Sequence, residues 1–240
     1  MAARFVEWMA VPDGSDWVDV GCGTGAVTSA ILAGASPRSV VGVDPSADFA
    51  GHARGTIDDP RVRFAIGPAE ALPLGDAAAD AVVSGLVLNF VTDVEAALRE
   101  MRRVSRPGGR IGAYVWDYAE GMQPIRRYFD AAIAIDPGAR DADEGRLFPI
   151  CRPEVLRSAF IAAGLGAVDV APVDVPATFA NFDDFWSPFL TGVGVAPRYN
   201  LGLDAATQAA IRERLRATLP TNPDGTIPLT VRAWAAQGQA

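Results

Sequence analysis

Short apolar runs alternate with stretches of helical periodicity through the first half of the chain. Residues 17–20 make a β-type run that ends in glycines. Residues 26–33 read as a helix that stops near Gly34 and Pro37. A Val-rich strand follows at 39–43, then a helix at 46–54, a strand at 62–66 and a buried strand at 79–84 bounded by Gly85. The Asp93 carboxylate can accept the free N–H groups of a first helical turn, so a helix is predicted from there to about Val104. Pro107-Gly108-Gly109 reads as a turn before a strand at 110–115. Strands that are apolar throughout belong in a sheet covered on both faces. The βαβα rhythm therefore predicts an α/β, doubly wound, mostly parallel sheet.

After Val115 the rhythm breaks. Residues 116–150 form a long insertion rich in Tyr, Phe, Asp and Arg. A helix at 153–163, with Pro153 at its first position, and a strand at 167–171 restore the beat. A second irregular stretch, 172–224, holds one clear helix at 204–218, and a final strand is predicted at 226–235. Excursions of this length inside an α/β unit are usually functional. The expected organisation is a single domain, 1–240, with lid insertions at about 117–150 and 172–224 that pack together rather than form a separate domain.

The segment richest in chemistry is Val18-Asp19-Val20-Gly21-Cys22-Gly23-Thr24-Gly25, where a strand gives way to a helix. Glycine lets the backbone turn sharply and lets a ligand approach without a Cβ in the way. Gly21, Gly23 and Ala26 also satisfy the relaxed dinucleotide pattern G-x-G-x-x-A, so a nicotinamide-dependent oxidoreductase stays open at this point. Asp19 speaks against it, because a carboxylate ahead of the turn repels a pyrophosphate and attracts an ammonium. Asp44 ends the second strand, where an acid can accept both ribose hydroxyls; its bland role is a cap for the helix at Ser46. Gly67-Pro68-Ala69-Glu70 follows the third strand, on the side where an adenine would lie.

These residues, with Arg106-Pro107-Gly108-Gly109, resemble the class I S-adenosylmethionine-dependent methyltransferases, in the small-molecule branch related to quinone-biosynthesis methyltransferases. The resemblance covers roughly residues 17–115 and, loosely, the closing helix and strand. It implies a Rossmann-like seven-stranded sheet with the last strand antiparallel, and S-adenosyl-L-methionine as cofactor with S-adenosyl-L-homocysteine as product. It implies that Gly21, Gly23 and Gly25 line the methionine and ribose end, and that Asp19 supports the amino group. Asp44, with Pro45 beside it, would hold the ribose. Ala69 and Glu70 would flank the adenine, and Ser84 and Gly85 would offer backbone oxygens to the amino group. Two departures stand out. Pro68 occupies a place where relatives often carry an acid, and only Met1–Ala10 stands where relatives place a helix that closes over the cofactor. A third reading, a protein that binds the cofactor without transferring methyl, also stays open.

Catalytic side chains are less legible. Asn89, Asp117 and Tyr118 follow strands and are weak candidates for contact with the acceptor; loop ordering, a helix cap and packing are their bland roles. The single histidine, His52, reads as an exposed helix residue. Trp116, Phe185, Trp186, Phe189 and Tyr199 divide evenly between core packing and lining an acceptor pocket. Composition narrows the class. At 50% hydrophobic and 21% charged the chain is an ordinary globular one, and no apolar run is long enough for a membrane helix. A net charge of −8 disfavours a nucleic-acid partner. All 21 basic residues are arginine, which removes lysine as a Schiff base or general base. Cys22 and Cys151 give neither a metal spacing nor a disulfide framework. The start lacks the pattern of a signal peptide, and a cytoplasmic setting is expected.

Overall fold

The apolar runs become strands in a computed structural model that describes residues 1–240. In chain order the elements begin α1 (Ala2–Met9), β1 (Asp16–Val20), α2 (Ala26–Gly34), β2 (Ser39–Asp44), α3 (Ala47–Thr56), β3 (Val62–Ile66), β4 (Ala79–Gly85), α4 (Val94–Val104) and β5 (Ser105–Trp116). They continue with α5 (Gln123–Ile135), α6 (Glu144–Leu147), α7 (Pro153–Ala162), β6 (Gly166–Phe179), α8 (Phe182–Trp186), α9 (Val195–Gly202), α10 (Ala205–Thr218) and β7 (Ile227–Gln239). The sheet has seven strands in the order β3-β2-β1-β4-β5-β7-β6. β1 through β5 pair in parallel, and β7 is the antiparallel member. Interior strands β1, β2 and β4 are buried along nearly their whole length, whereas β3 at one end of the sheet is only partly covered.

The chain divides into two compact units. The first comprises Met1–Val115, Pro153–Val173 and Trp234–Ala240; the second comprises Trp116–Arg152 and Asp174–Ala233. In the first unit, Asp93 caps α4 by accepting the Ala96 N–H at 2.8 Å, as the sequence predicts. α4 buries Ala97, Leu98, Met101 and Val104 and carries Arg102 and Arg103 in its last turn, where cations complement the dipole. The starts of β1 and β4 are pinned by charge: Asp16 pairs with Arg38 and Arg106, and Arg106 reaches Asp80 at 2.7 Å. The Arg38 guanidinium, followed by Ser39 and Arg106, holds the Asp16 carboxyl far below the usual range against the smaller opposing effect of burial. Helix α1 buries Phe5, Val6 and Met9; the Phe5 ring lies 4.8 Å from Tyr114. In the second unit, α5, α8, α9 and α10 enclose a core of Tyr128, Phe129, Phe185, Trp186, Phe189 and Ile211.

Three elements differ from the sequence-based expectation. The Pro107-Gly108-Gly109 turn is a bulge inside β5: Ala79 pairs with Ser105 and Ala81 with Arg110, so the extra residues loop out around Gly108 at φ +75°. β6 runs on past Pro172 and Pro176 to Phe179, because it ends the strand order and an end strand tolerates missing N–H groups. The stretch after Val115 is more helical than expected. α5 starts after Met122, which gives no side-chain cap, so the start signal was missing from the sequence.

Candidate functional site

The strand order reverses between β1 and β4, and ligands of open α/β sheets bind beyond the carboxyl ends of strands at such a switch point. A cleft of about 320 Å³ lies there in the first unit. Four loops line it: Gly21 after β1, Asp44-Pro45-Ser46 and Phe49 after β2, Pro68-Ala69-Glu70 after β3, and Val87 with Phe90-Val91-Thr92 after β4.

The glycine turn has the backbone that its residues suggest. Gly21, Gly23 and Gly25 all take positive φ (+70°, +53° and +93°), which L side chains rarely adopt. A Cβ on Gly21 would stand 2.5 Å from the Val87 side chain, and one on Gly25 would meet Ile57 at 2.5 Å. Gly25 precedes α2, whose first turn has no side-chain cap. Asp44 locks this turn to the next loop. Its Oδ2 accepts the Gly23 N–H at 2.9 Å and its Oδ1 the Ser46 N–H at 2.8 Å. Two contacts leave about two of a carboxylate's four lone-pair sites free. The predicted cap role falls to Ser46, which accepts the Phe49 N–H at 3.3 Å.

Asp19, Gly23, Gly25 and Ser84 stand behind the lining rather than in it. Asp19 is fully buried and its Oδ2 accepts the Thr28 hydroxyl at 2.7 Å. Burial pushes its carboxyl up to about 6 despite two Thr28 hydrogen bonds, and the nearby Asp44 charge adds to the rise. Its Oδ1 has no partner, nor does the buried Ser84 hydroxyl, nor either side-chain amide atom of half-buried Asn89. Buried polar atoms rarely go unpaired. Orphans at the ends of adjacent strands, beside a cradle that a Cβ would fill, fit a cofactor with a polar amino-acid end and a nucleoside. Phe49 and Phe90 are 53% and 68% exposed, and sequence reasoning missed both. Each lies five residues past a strand end, Phe49 after Asp44 and Phe90 after Gly85, and an aromatic at that shared offset was the available signal.

The remaining candidates fall elsewhere. His52 is exposed on α3. Asp117 and Tyr118 belong to the second unit. Asp117 is buried and its Oδ1 accepts the Glu120 N–H at 3.1 Å, which is the bland role. Tyr118 lines a cavity of about 470 Å³ within the second unit, as do Phe185 and Phe189 of the aromatic set. Trp186 packs in the core, and Tyr199 donates its hydroxyl to Asp136 at 2.7 Å.

Comparison with known proteins agrees with this geometry. A family model described as a methyltransferase domain matches residues 18–113. The chain is 42% identical over 109 residues to the ubiquinone/menaquinone biosynthesis C-methyltransferase UbiE of Rubrivivax gelatinosus, covering 45% of this chain and 41% of that one. It is 32% identical over 176 residues to a demethylmenaquinone methyltransferase of a Roseiflexus species, covering 68% of this chain and 72% of the relative. The fold alone is shared with a solved Bacillus halodurans C-125 protein, 15% identical over 99% of this chain and 97% of that one, at a TM-score of 0.65. The chain belongs to the class I S-adenosylmethionine-dependent methyltransferases. Within that class it stands beside the methyltransferases of quinone biosynthesis, and it spans about two fifths of the length of the Rubrivivax relative.

Proposed function

We propose that the chain transfers a methyl group from S-adenosyl-L-methionine to a small, apolar, ring-containing metabolite, releasing S-adenosyl-L-homocysteine. The observation that carries this reading is the Asp44 carboxylate, fixed by two backbone amides on the wall of the strand-end cleft with acceptor capacity to spare. Two ribose hydroxyls suit that capacity. Gly21, with Gly23 and Gly25 behind it, keeps the turn open for the methionine and ribose end. The unpaired oxygens of Asp19 and Ser84 give an ammonium group acceptors. Pro68 offers no N–H, so adenine would rest on Ala69, Glu70 and apolar packing, to which Phe49 and Phe90 contribute.

The bound cofactor supplies an electrophilic methyl on a sulfonium, and in-line displacement disperses its charge. The chain's part is alignment and exclusion of water, for which well-oriented partners can gain about 7–11 kcal/mol. Asn89, with its unpaired amide after β4, is the candidate for orienting the acceptor. The acceptor class is supported by the apolar cavity of the second unit and by the names of the relatives, which specify quinones and, for UbiE, methylation at carbon.

The test is release of S-adenosylhomocysteine from the purified chain with naphthoquinones, naphthols and simple phenols as acceptors. Turnover with at least one ring acceptor is expected. S-adenosylmethionine at a hundred times its Kd should add about 2.7 kcal/mol of stability, which raises the melting temperature by roughly 5–10 °C. A rise with NAD and none with S-adenosylmethionine would overturn the assignment.

A further inference from the structure

A buried carboxyl faces the apolar cavity of the second unit with one of its oxygens unpartnered. Glu144 opens the short helix α6, is 5% exposed, and lines the cavity together with Tyr118, Ile125, Phe179, Phe185 and Phe189. The Val195 backbone N–H faces the carboxyl and favours its charged form. Its Oε2 is buried and has no partner. The position is closely packed: a Cβ on the neighbouring Gly145 would lie 3.0 Å from the Ala119 backbone, so α6 has no room to move nearer to residues 118–119. No basic side chain lines the cavity. The Arg126 guanidinium of α5 is taken by Asp143 and Asp130, both at 2.9 Å. The Thr191 hydroxyl at the cavity wall donates to the Pro188 carbonyl at 2.8 Å.

We propose that this cavity binds a neutral aromatic compound through one hydroxyl group, which hydrogen-bonds to the free Oε2 of Glu144. The hydroxyl is chosen by chemistry. Burial first, and the adjacent Asp143 second, lift the Glu144 carboxyl to about 7, against the Val195 N–H, which favours its charge. Tyr118 and Cys151 also face it, and both are pushed toward their neutral forms by burial and then by nearby acids. Near neutral pH the group is therefore sometimes a donor and sometimes an acceptor. A hydroxyl serves both states, whereas a carbonyl serves only the acid. A ligand carboxylate would meet the Glu144 carboxyl with no basic side chain on the cavity wall to offset it.

The inference takes from the proposed function only the choice of ring compounds as probes. Calorimetric titration of the whole chain, without cofactor, compares naphthalene, 1-naphthol and 1-naphthoate. The naphthol is expected to bind about tenfold tighter than naphthalene, and the naphthoate weakest of the three. Glu144→Gln keeps an acceptor for the Val195 N–H and removes the charge. It should hold naphthol within about threefold of the parent and strengthen naphthoate about tenfold. Glu144→Leu should level naphthol with naphthalene. Equal binding of naphthol and naphthalene by the parent chain, no binding of either, or a naphthoate affinity unmoved by Glu144→Gln would each overturn the proposal. Naphthol bound with the expected preference but never methylated would count against the acceptor reading alone, and turnover without the hydroxyl preference against this one alone.

Discussion

The cleft of the first unit and the cavity of the second are built from different materials. Backbone shapes the cleft: three left-handed glycines, two amides on Asp44, and loops that all leave strand ends at one switch point. Its residues fall in short clusters, each directly after a strand. Side chains shape the cavity, and they come from 118–125, from Glu144, from 177–197 and from Val231. A site written in backbone demands particular residues at fixed offsets from a strand. A site written in side chains demands only apolar bulk, so its members carry no local mark. The exception on each side is a carboxyl with an orphaned oxygen, Asp19 in one and Glu144 in the other.

The contrast can be broken at Asp44. Asp44→Ala should weaken S-adenosylmethionine at least about a hundredfold by calorimetry, since two hydrogen bonds to a charged group are lost. The Gly23 and Ser46 amides would also lose their acceptor, so a stability loss of about 2 kcal/mol in urea is expected without loss of cooperativity. Unchanged affinity would show that the carboxylate only braces the loops.

Asp19 sharpens the comparison through pH. Its folded carboxyl sits near 6, above the ordinary 3.8, so the folded state holds the proton more tightly than the unfolded chain does. The sign is therefore that this contribution is full below about pH 4 and is lost as pH rises through 6. At about 1.4 kcal/mol per pH unit the loss is roughly 3 kcal/mol. Asp19→Asn should remove that slope, gaining stability relative to the parent from pH 4 to pH 7 in parallel urea titrations. A mutant whose difference from the parent is flat with pH would count against a buried, uncompensated Asp19.

The smallest effect belongs to one of the cleft's two exposed aromatic side chains. Phe90 is mostly exposed, so Phe90→Ala should lower the melting temperature only slightly. Loss of an aromatic contact should still raise the cofactor Kd by about 2–10-fold. No change in Kd would remove Phe90 from the cofactor's contacts.

Legibility in the sequence follows the same division. The parallel strands, the glycine turn, Asp44 and the cap at Asp93 could all be read because each depends on a residue type at a local offset. The helix expected at 204–218 starts one residue later, at Ala205, with Asp204 capping it by accepting the Ala206 and Thr207 N–H groups at 2.9 Å. The β5 bulge could not be told from a turn, because Pro-Gly-Gly serves either and only pairing across to β4 decides between them. The reach of β6 was hidden by its prolines, which argue against a strand unless its place in the sheet is known. Glu144 gave no signal, since an acid beside Asp143 in a polar stretch reads as solvated until the fold buries it. The aromatic set took both of its open roles: Phe185 and Phe189 meet the core and the cavity, while Trp186 meets the core.

The two prolines of β6 have one more consequence. Pro172 and Pro176 are four residues apart, so along a strand their absent amides fall on the same side. On the outward side they would leave the β7 pairing whole and interrupt the row of donors that another polypeptide could recruit. This end of the sheet would then be a poor template for fibrous self-association, a safeguard written in ring chemistry instead of charge.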